Sequence, residues 1–442
     1  MSEALRTDPQ VVVDLTEELH PADLADLVAE LEHDLALKLI RVLPVDKGAS
    51  ILEQLDPDKR TRIVIEMAAA DLSATADLSE GMAPDERAEL ISELPQETAD
   101  KIMGRMAPGE TREVQKLLAF PDGTAGRRMT TSFVALRAEF TVEKAIEEVR
   151  RVAAEMETIY AAYAVDLNGT LLGAISLRDL VTAPPGKTVA DLMEPNVISA
   201  WVDDDEQEVA RLIAKYDLLA LPVIDRANKI CGIITVDDVV DLVQEKASED
   251  VQRLGGVQPL EATYFQTSVR EFVQKRVVWL VVLFVGGFFT GTAMKGYSSS
   301  LEAVGTLVWF VPLIMSSGGN AGSQSASLMI RSLAVGDVQP KDFMRVISRE
   351  LIIGALLGLS LSIFGVLRAL MWKETRTLEM SMVVAFTLPC VVTAGSVIGS
   401  AMPLLLKEAG LDPAVSSTPF IASLSDVLGL VIYFEIAKII LF

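Results

Sequence analysis

Long apolar runs fill most of the second part of the chain, after residue 271. They occupy Val277–Met294, Ala303–Ile330, Leu351–Leu367, Met380–Leu406 and the stretch that follows Pro413 and ends at Phe442. A helix needs about 20 mostly apolar residues to cross a bilayer. Helices buried in a soluble protein are the alternative, but apolar runs of this length are typical of membrane spans. The pattern therefore predicts five transmembrane helices.

The region from residue 20 to residue 120 has a shorter, helical periodicity. Units such as "HPADLADLVAEL", "LDPDKRTRIVIEM" and "MAPDERAELISEL" place a proline and an acid before apolar residues at helical spacing. Proline fits the first turn of a helix, where its missing N–H is not needed, and an acid there interacts favourably with the helix dipole. Since each unit has roughly a dozen residues, the repeat predicts a stack of short helices.

A second repeat, in which strands and helices alternate, begins at Met129. The segment "MTTSFVALRAEFTVEKAIEEV" is similar to "MEPNVISAWVDDDEQEVARLI", 64 residues later, and "LLGAISLRDL" is similar to "ICGIITVDDV", 59 residues later. Each unit predicts a strand, a helix, two strands and a final helix. Tandem units of this kind resemble a pair of CBS domains over residues 129–247.

The CBS resemblance implies a candidate nucleotide site. In that family the Ser or Thr and the Asp of G-x-x-[ST]-x-x-D often contact an adenine nucleotide, which makes ATP a candidate ligand here. The corresponding residues of this chain are Ser176, Asp179, Thr235 and Asp238. Capping of the final helix of each unit is the alternative role for these side chains.

Charge divides the chain in the same place as hydrophobicity does. The formal net charge is −23; residues 1–271 carry 52 acidic and 27 basic side chains, whereas residues 272–442 carry 10 and 12. Crowded like charges destabilise a compact arrangement unless cations intervene, and hard divalent cations bind carboxylate and water oxygens. We therefore expect a Mg²⁺-sensing surface, with a solvated helix face as the alternative. Its candidate ligands are Asp85, Glu89, Asp205, Glu208, Asp217, Asp238, Glu245, Glu249 and Asp250.

Basic residues near the apolar runs predict the orientation in the membrane. Lys275 and Arg276 precede the first run, and four basic residues lie between the second and third runs. The positive-inside rule places both segments in the cytosol. With five spans, the N-terminus is then cytosolic and the C-terminus lies outside. No signal peptide is predicted, and we expect a multi-pass protein of the plasma (inner) membrane.

Two of the apolar runs contain unexpected polar residues. In "PLIMSSGGNAGSQ", residues 312–324, the glycines favour close helix packing, but Asn320 and Gln324 share one helix face, where contact with lipid would be costly. Asp426 lies in the last run, where an ionised Asp costs about 2.5–3.5 kcal/mol on insertion scales. The default interpretation is a carboxylate in an ion path. A protonated Asp that bonds to a neighbouring helix is the alternative.

These two stretches resemble specific sequences of the MgtE magnesium-channel family. Residues 312–324 match its P-x-x-x-x-x-G-G-N-x-G-x-Q signature, and "DPAVSSTPF" followed by Asp426 and Gly429 is similar to its last span. The resemblance implies a homodimer that conducts Mg²⁺ near the dimer axis, with Asp426 of both copies facing one ion. It also implies closure by Mg²⁺ at interfaces of the cytosolic domains, although Lys246 interrupts the acidic run of the connecting helix.

The candidate pore-lining residues come from these stretches and from two acids beside them. Glu350 lies at the cytosolic entrance of the third run, and Asp412 begins the "DPAVSSTPF" stretch. The complete set is Pro312, Gly318, Gly319, Asn320, Gly322, Gln324, Glu350, Asp412, Ser417 and Asp426.

The sequence thus predicts a multidomain membrane protein. An all-α cytosolic helical-repeat domain is expected over residues 1–128, α+β tandem CBS domains over 129–247, a connecting (plug) helix over 248–273 and a five-helix α-helical transmembrane domain over 274–442. The predicted function is Mg²⁺ uptake through a channel that cytosolic Mg²⁺ closes.

Two other functions remain as alternatives at this point. One is a broader divalent-cation transporter that also moves Co²⁺ or Ni²⁺, and the other is a nucleotide-sensing membrane receptor that does not conduct. No nucleophile–base set or His/Cys metal cluster stands out in the sequence, so an enzyme is not expected. No nucleic-acid partner is predicted either.

Overall fold

The proline–acid units of the sequence begin helices in the computed structural model. The structure describes residues 13, 15–16, 18–184, 186–260, 264, 267–372, 374–375 and 377–442. Two units are distinguished in the chain, Met1–Glu245 and Lys246–Phe442.

The first unit starts with a stack of short helices, which confirms the predicted helical-repeat architecture. They are α1 (Pro21–Glu30), α2 (His33–Val42), α3 (Val45–Glu53), α4 (Pro57–Ala70), α5 (Leu72–Glu80), α6 (Pro84–Glu93), α7 (Gln96–Met103) and α8 (Pro108–Leu118). Proline occupies the first turn of α1, α4, α6 and α8, as the repeat predicts. Their apolar faces bury one continuous core, whose fully buried members include Leu24, Ile51, Ile63 and Leu90.

Two three-stranded sheets with identical topology follow, which agrees with the predicted CBS pair. After the short helix α9 (Ala125–Arg128), the elements are β1 (Phe133–Arg137), α10 (Val142–Val152), β2 (Thr158–Val165), β3 (Leu171–Ser176), α11 (Leu177–Thr182), α12 (Val189–Leu192), β4 (Ala200–Trp201), α13 (Glu206–Tyr216), β5 (Ala220–Ile224) and β6 (Ile230–Thr235). In each sheet the first strand pairs with the second in parallel, and the second pairs with the third in antiparallel fashion.

Equivalent glycines in the two sheets make room for methionines that precede the opposite repeat. A Cβ at Gly173 would lie 2.7 Å from Sδ of Met193, and a Cβ at Gly232 would lie 2.8 Å from Cγ of Met129. Backbone carbonyl oxygens are close as well, Glu194 at 3.0 Å from a Cβ at Gly173 and Thr130 at 2.5 Å from a Cβ at Gly232, so both places favour glycine. This reciprocal packing ties the two CBS repeats together.

A long helix, α14 (Val236–Leu254), follows the last strand of the CBS pair. It includes the first residues of the predicted connecting segment, 248–273. Among the described residues, the next helix is α15, which begins at Val269.

The second unit contains five long helices among its described residues. They are α15 (Val269–Gly296), α17 (Val311–Ala334), α18 (Phe343–Met371), α19 (Leu378–Glu408) and α20 (Thr418–Leu441), with the short α16 (Ser298–Ala303) and 3-10 turns at Gly305–Phe310, Pro340–Asp342 and Pro413–Val415. Within the described part of the chain, three helical segments are long and apolar enough to cross a membrane: Val269–Gly296, Pro340–Met371 and Leu378–Glu408. Several apolar helices are therefore confirmed, while the count of five spans stays a prediction.

Proline and glycine determine how closely α18 and α19 pack. Pro389 lies inside α19 and cannot donate a hydrogen bond to the carbonyl of Ala385. The hydroxyl of Ser362 in α18 donates to that carbonyl instead, at 3.0 Å. A Cβ at Gly358 would lie only 2.4 Å from Cα of Pro389, so the two backbones are in direct contact.

Candidate functional site

The polar stretch of α17 forms an exposed face within the single chain. Ser316, Asn320 and Gln324 recur at intervals of four residues, and all three are exposed, as is Pro312. The side-chain amide of Asn320 donates to the hydroxyl of Ser316 at 3.2 Å. Because unsatisfied amides are costly in hydrocarbon, this face is suited to water or to another protein surface rather than to lipid.

The carboxylate of Asp426 lies beside this face. Asp426 is half-buried in α20, and a Cβ at Gly319 of α17 would lie 3.2 Å from its Oδ1. Among the described residues, no Lys, Arg or His forms an ion pair with Asp426 and no group donates a hydrogen bond to it. The neighbouring-helix bond that would make Asp426 a packing residue is therefore not seen within the described chain.

Two glycines of the same stretch serve packing within the chain. Gly318 and Gly322 are buried against α19, where a Cβ at Gly395 would lie 2.3 Å from the carbonyl oxygen of Gly318. The equivalent distance from Gly399 to the carbonyl oxygen of Gly322 is 2.1 Å. Of the three candidate glycines, only Gly319 is in contact with Asp426.

The other pore candidates lie near the ends of the long helices. Glu350 accepts a hydrogen bond from Ser325 of α17, at 2.8 Å. Asp412 accepts the N–H of Ala414 at 2.8 Å and pairs with Arg253 at the end of α14. Ser417 is fully buried, and its hydroxyl has no hydrogen-bond partner among the described residues.

An acidic contact between α6 and the start of α14 brings together two predicted metal ligands, Asp85 and Asp238. Asp85 is partly exposed, but its Oδ1 is buried, and no hydrogen bond to that atom occurs in the described chain. Burial raises the pKa of Asp85 well above its usual value, and the charges of Asp238 and Glu86 raise it further. Burial also raises the pKa of Asp238, although hydrogen bonds from Thr235 oppose that shift.

A third acid, Glu157, belongs to the same contact. Burial raises its pKa, and the charges of Asp238 and Asp237 act in the same direction. Burial and mutual repulsion disfavour the ionised form of these carboxyl groups. A hard divalent cation that replaced their protons would offset both effects.

Arginines neutralise a second set of acids nearby. Arg60 of α4 is 3% exposed and pairs with Glu86, Glu89 and Glu93 of α6, at 3.1, 3.6 and 2.7 Å. Arg128 pairs with Glu89, Glu206 and Glu245. The predicted ligands Glu89 and Glu245 thus already have a cationic partner.

Three further predicted ligands in the CBS region lie within α13 or at its ends. Asp205 caps α13 by accepting the N–H of Gln207 at 2.8 Å, and Glu208 pairs with Arg211 at 2.7 Å. Asp217 ends α13 in the left-handed conformation, with φ of 52°. The carboxylates of Asp205 and Glu208 thus have partners within α13, and their role as metal ligands stays a prediction, as does that of Asp217.

The two predicted ligands in the second half of α14 differ from each other. Glu249 pairs with Lys246 at 3.2 Å and with Arg253 at 3.6 Å. Burial raises the pKa of Asp250, and the charge of Asp412 raises it further. In the described residues, no group of three or more His, Cys, Asp or Glu side chains is arranged to hold a metal ion.

The candidate nucleotide residues pair with one another at the starts of helices. The hydroxyl of Ser176 donates to Asp179 at 2.5 Å, and that of Thr235 donates to Asp238 at 2.6 Å. The hydroxyl of Ser176 also accepts the N–H of Asp179 and so caps α11, whereas at the start of α14 the carboxylate of Asp238 accepts the N–H of Thr235. Asp238 belongs to two candidate sites, one for a nucleotide and one for a metal.

Sequence reasoning missed the buried arginines. Arg60 and Arg87 each lie three residues after the proline that begins α4 and α6. Arg87 is 4% exposed, donates to the carbonyls of Ser79, Glu80 and Met82, and pairs with Glu110. The shared P-D-x-R pattern in "LDPDKR" and "MAPDER" was a signal that could have identified both residues.

A helical repeat, a CBS pair and a bundle of apolar helices with an acid inside it define a multi-pass membrane protein. Family models match in the same order: the MgtE intracellular N domain over residues 19–123, the CBS domain over 125–186 and 189–245, and MgtE, described as a divalent cation transporter, over 311–436. The chain belongs to the MgtE family of magnesium transporters, which are not enzymes.

Relatives that extend over nearly the whole chain support this assignment. A magnesium transporter MgtE of Thermus thermophilus is 36% identical over 445 residues, covering 100% of this chain and 98% of its own. The Bacillus subtilis protein of the same name is 31% identical, covering 95% and 92%. A crystal structure of the cytosolic domain of the Mg²⁺ channel MgtE in complex with ATP is 35% identical with a TM-score of 0.52, covering 54% of this chain and 97% of that one.

Proposed function

We propose that this protein is a Mg²⁺-selective channel of the plasma (inner) membrane that takes up magnesium and closes when cytosolic Mg²⁺ is high. The observation that carries the proposal is the position of Asp426, an acid without an ion-pair partner in the described chain, beside the exposed polar face of α17. A carboxylate in such a place is a functional group in an ion path by default.

The chemistry of this face suits hydrated Mg²⁺. Mg²⁺ loses its water shell reluctantly and is usually held by one or two carboxylates while it keeps several waters. Asp426 supplies negative charge, while Ser316, Asn320 and Gln324 supply neutral groups that can contact those waters. The absence of soft ligands among these residues disfavours copper or zinc as the cargo.

A homodimer would complete this path. The polar face of α17 is exposed in one chain, and a second copy related by a two-fold axis would cover it and bring a second Asp426 towards the same ion. In this arrangement the N-terminus is cytosolic, the C-terminus lies outside, and five helices cross the membrane.

The regulatory site that we propose lies at the contact of Asp85 with Asp238. Mg²⁺ there would satisfy the buried Oδ1 of Asp85 and offset its repulsion from Asp238. The second half of α14, with Glu249 and Asp250, would transmit the change towards the membrane helices. ATP is a further candidate ligand of the CBS pair, because the MgtE cytosolic domain that resembles this one binds it.

Mg²⁺ flux into liposomes that contain the purified chain tests the pore. We expect Asp426→Asn and Asp426→Ala to lower the flux at least about tenfold, since each removes the charge in the path. Glu435→Gln is the matched control, because Glu435 is an exposed acid of the same helix that pairs with Lys438 at 3.2 Å. Undiminished flux in both Asp426 variants would overturn the assignment.

Ion competition separates the proposal from its nearest alternative. The matching family model is described as a divalent cation transporter, which keeps Co²⁺ and Ni²⁺ as candidate cargo. If either ion permeates as fast as Mg²⁺ through the same liposomes, the channel is a general divalent one. Patch recording while internal Mg²⁺ is titrated tests closure, and currents that ignore internal Mg²⁺ would contradict the regulatory part.

A further inference from the structure

Arg128 lies among acids from three separate elements of the first unit. Its Nη1 is 3.7 Å from Oε1 of Glu89 in α6, its Nε is 3.3 Å from Oε2 of Glu206 in α13, and its Nη2 is 3.6 Å from Oε2 of Glu245 in α14. One guanidinium therefore contacts the helical-repeat domain, the second CBS repeat and the helix that leaves that repeat.

The backbone around Arg128 holds this side chain in place. In α9, the N–H of Ala125 donates to the carbonyl of Asp204 at 2.8 Å, and that of Gly126 donates to Val202 at 2.9 Å. A Cβ at Gly126 would lie 2.9 Å from the same carbonyl oxygen of Val202, so only glycine permits this approach. The helix that ends at Arg128 is consequently fixed against the second CBS repeat.

The local charge balance shows what the guanidinium does. Burial disfavours the charged form of Arg128, but Glu89, Glu206 and Glu245 outweigh that effect and raise its pKa. Glu89 also pairs with Arg60, so the two arginines are joined through one carboxylate. Neither Asp85 nor Asp238 forms an ion pair among the described residues, although the charge of Arg128 opposes the rise in the pKa of Asp238 that burial causes. The acids of this interface thus form two sets: one set pairs directly with an arginine, and the other has no ion-pair partner among the described residues.

We propose that Arg128 is a built-in counter-ion, which takes the place of a divalent cation for Glu89, Glu206 and Glu245. It limits the Mg²⁺ requirement of this interface to the acids with which it forms no ion pair. The inference rests on the proposed Mg²⁺ regulation. It adds the residue that determines how strongly the stability of the closed arrangement depends on Mg²⁺.

Removal of the guanidinium has a distinctive consequence. Three carboxylates would then repel one another across three elements, and the compact arrangement would need additional cations. Mg²⁺ should stabilise such a variant more than it stabilises the unchanged chain, since a ligand that binds the compact state shifts the equilibrium towards it. If Arg128 had only a structural role, its substitution would destabilise the compact arrangement equally with and without Mg²⁺.

Limited proteolysis of the full-length protein in detergent, first with EDTA and then with increasing Mg²⁺, tests the proposal. With EDTA we expect Arg128→Gln to be cleaved between residues 1 and 245 about tenfold faster than wild type, and saturating Mg²⁺ should reduce the difference to about twofold or less. Arg211→Gln is the matched control, because Arg211 forms an exposed ion pair within α13. It should behave as wild type at every Mg²⁺ concentration.

The outcomes separate this inference from the proposed function. If Mg²⁺ does not protect even the wild-type chain, the proposed regulation fails. Two outcomes in which Mg²⁺ does protect wild type would overturn the counter-ion proposal alone. In one, Arg128→Gln is cleaved at the wild-type rate with EDTA. In the other, Arg128→Gln is cleaved faster than wild type by the same factor at all Mg²⁺ concentrations.

A second variant covers the case in which Arg128→Gln does not accumulate. Arg128→Gln combined with Glu206→Gln removes the cation and one of its acids together, so less repulsion remains. Mg²⁺ must still protect this double variant from cleavage more than it protects wild type. Equal protection of the two proteins would overturn the proposal.

Discussion

Gly319 lies directly against the carboxylate of Asp426: a Cβ at position 319 would be 3.2 Å from Oδ1. The contact joins the polar stretch of α17 to the acid of α20. Because glycine has no side chain, the carboxylate of Asp426 can lie beside the exposed face of α17 that carries Asn320. The same Cβ would lie 3.5 Å from Cβ and 3.6 Å from Cα of Ala422, so the glycine is expected to serve both the position of the acid and the packing of α17 against α20.

Gly319→Ala should lower Mg²⁺ flux by about tenfold. The added methyl group would displace the carboxylate of Asp426, and a shift of up to about 1 Å in a positioned group has large effects on its function. The amount of folded protein should be unchanged, since Oδ1 is the end of a side chain that can move. Flux into liposomes and gel filtration in detergent measure the two quantities. Gly291→Ala in α15, where a Cβ would meet nothing within 4 Å, is the control. Wild-type flux in Gly319→Ala would contradict the proposed role.

Gly399→Ala should destabilise the membrane unit. The added Cβ would lie 2.1 Å from the carbonyl oxygen of Gly322, so α17 and α19 must separate. Overpacking of this kind typically costs about 1–3 kcal/mol. Thermal unfolding in detergent should show a lower Tm than for Gly287→Ala, since a Cβ at Gly287 has no atom within 4 Å. Equal Tm values would mean that the helix contact is not as close as described.

Arg60→Ala should be among the most damaging substitutions in the first unit. Arg60 is nearly fully buried, and its removal leaves Glu86, Glu89 and Glu93 without a shared cation. Breaking a buried ion pair from one side costs about 3–5 kcal/mol. Arg62→Ala, at an exposed position of the same helix, should change the Tm very little. A similar Tm for the two variants would rule out the ion-pair cluster as a source of stability.

The stability of the first unit should depend on pH in the absence of Mg²⁺. Burial raises the pKa of Glu86 to about 7, and the pKa values of Asp85 and Asp238 are raised as well. A folded-state pKa above the unfolded value means that the folded state holds the proton more tightly, so stability falls as pH rises from about 4.5 to 7. With EDTA, the Tm should be roughly 2–4 °C higher at pH 6 than at pH 8.

Mg²⁺ should reduce this pH dependence, because it binds the ionised carboxylates and stabilises the state that high pH favours. Thermal unfolding at both pH values, with and without Mg²⁺, measures the effect. Asp85→Asn combined with Asp238→Asn should reduce both the pH dependence and the effect of Mg²⁺. Persistence of both effects in that variant would place the responsible acids elsewhere.

The pair of Arg253 and Asp412 should affect closure more than stability. Both side chains are about one-third exposed, and such pairs contribute about 0–1 kcal/mol. They nevertheless connect the end of α14 to the turn before α20, where the hydroxyl of Thr418 also donates to the carbonyl of Leu254 at 2.9 Å. Arg253→Asp and Asp412→Arg should each raise Mg²⁺ flux at high internal Mg²⁺, and the combined exchange should restore closure. If the double variant conducts as much Mg²⁺ at high internal Mg²⁺ as the single variants do, this ion pair is not the connection.

The sequence by itself determined the local and periodic features of this protein. Apolar runs identified α18 and α19 because a long hydrophobic segment has few alternatives to a helix in an apolar environment. Proline followed by an acid marked the starts of α4 and α6, since both residues act on the first helical turn alone. The 59-residue spacing of the CBS repeat also predicted equivalent strands, which pair in the same register around Gly173 and Gly232.

Only the tertiary structure decided which side chains meet. Gly318, Gly319 and Gly322 are close in sequence, but the helix turns by about 100° per residue, so Gly318 and Gly322 contact α19 while Gly319 contacts Asp426. No local signal shows which helix lies on which side. Likewise, Glu89 and Glu245 were predicted as metal ligands from their charge, yet both lie beside Arg128. Pairing between residues so far apart in the chain depends on how the domains pack, because the interaction energy of two charges is set by their separation in space.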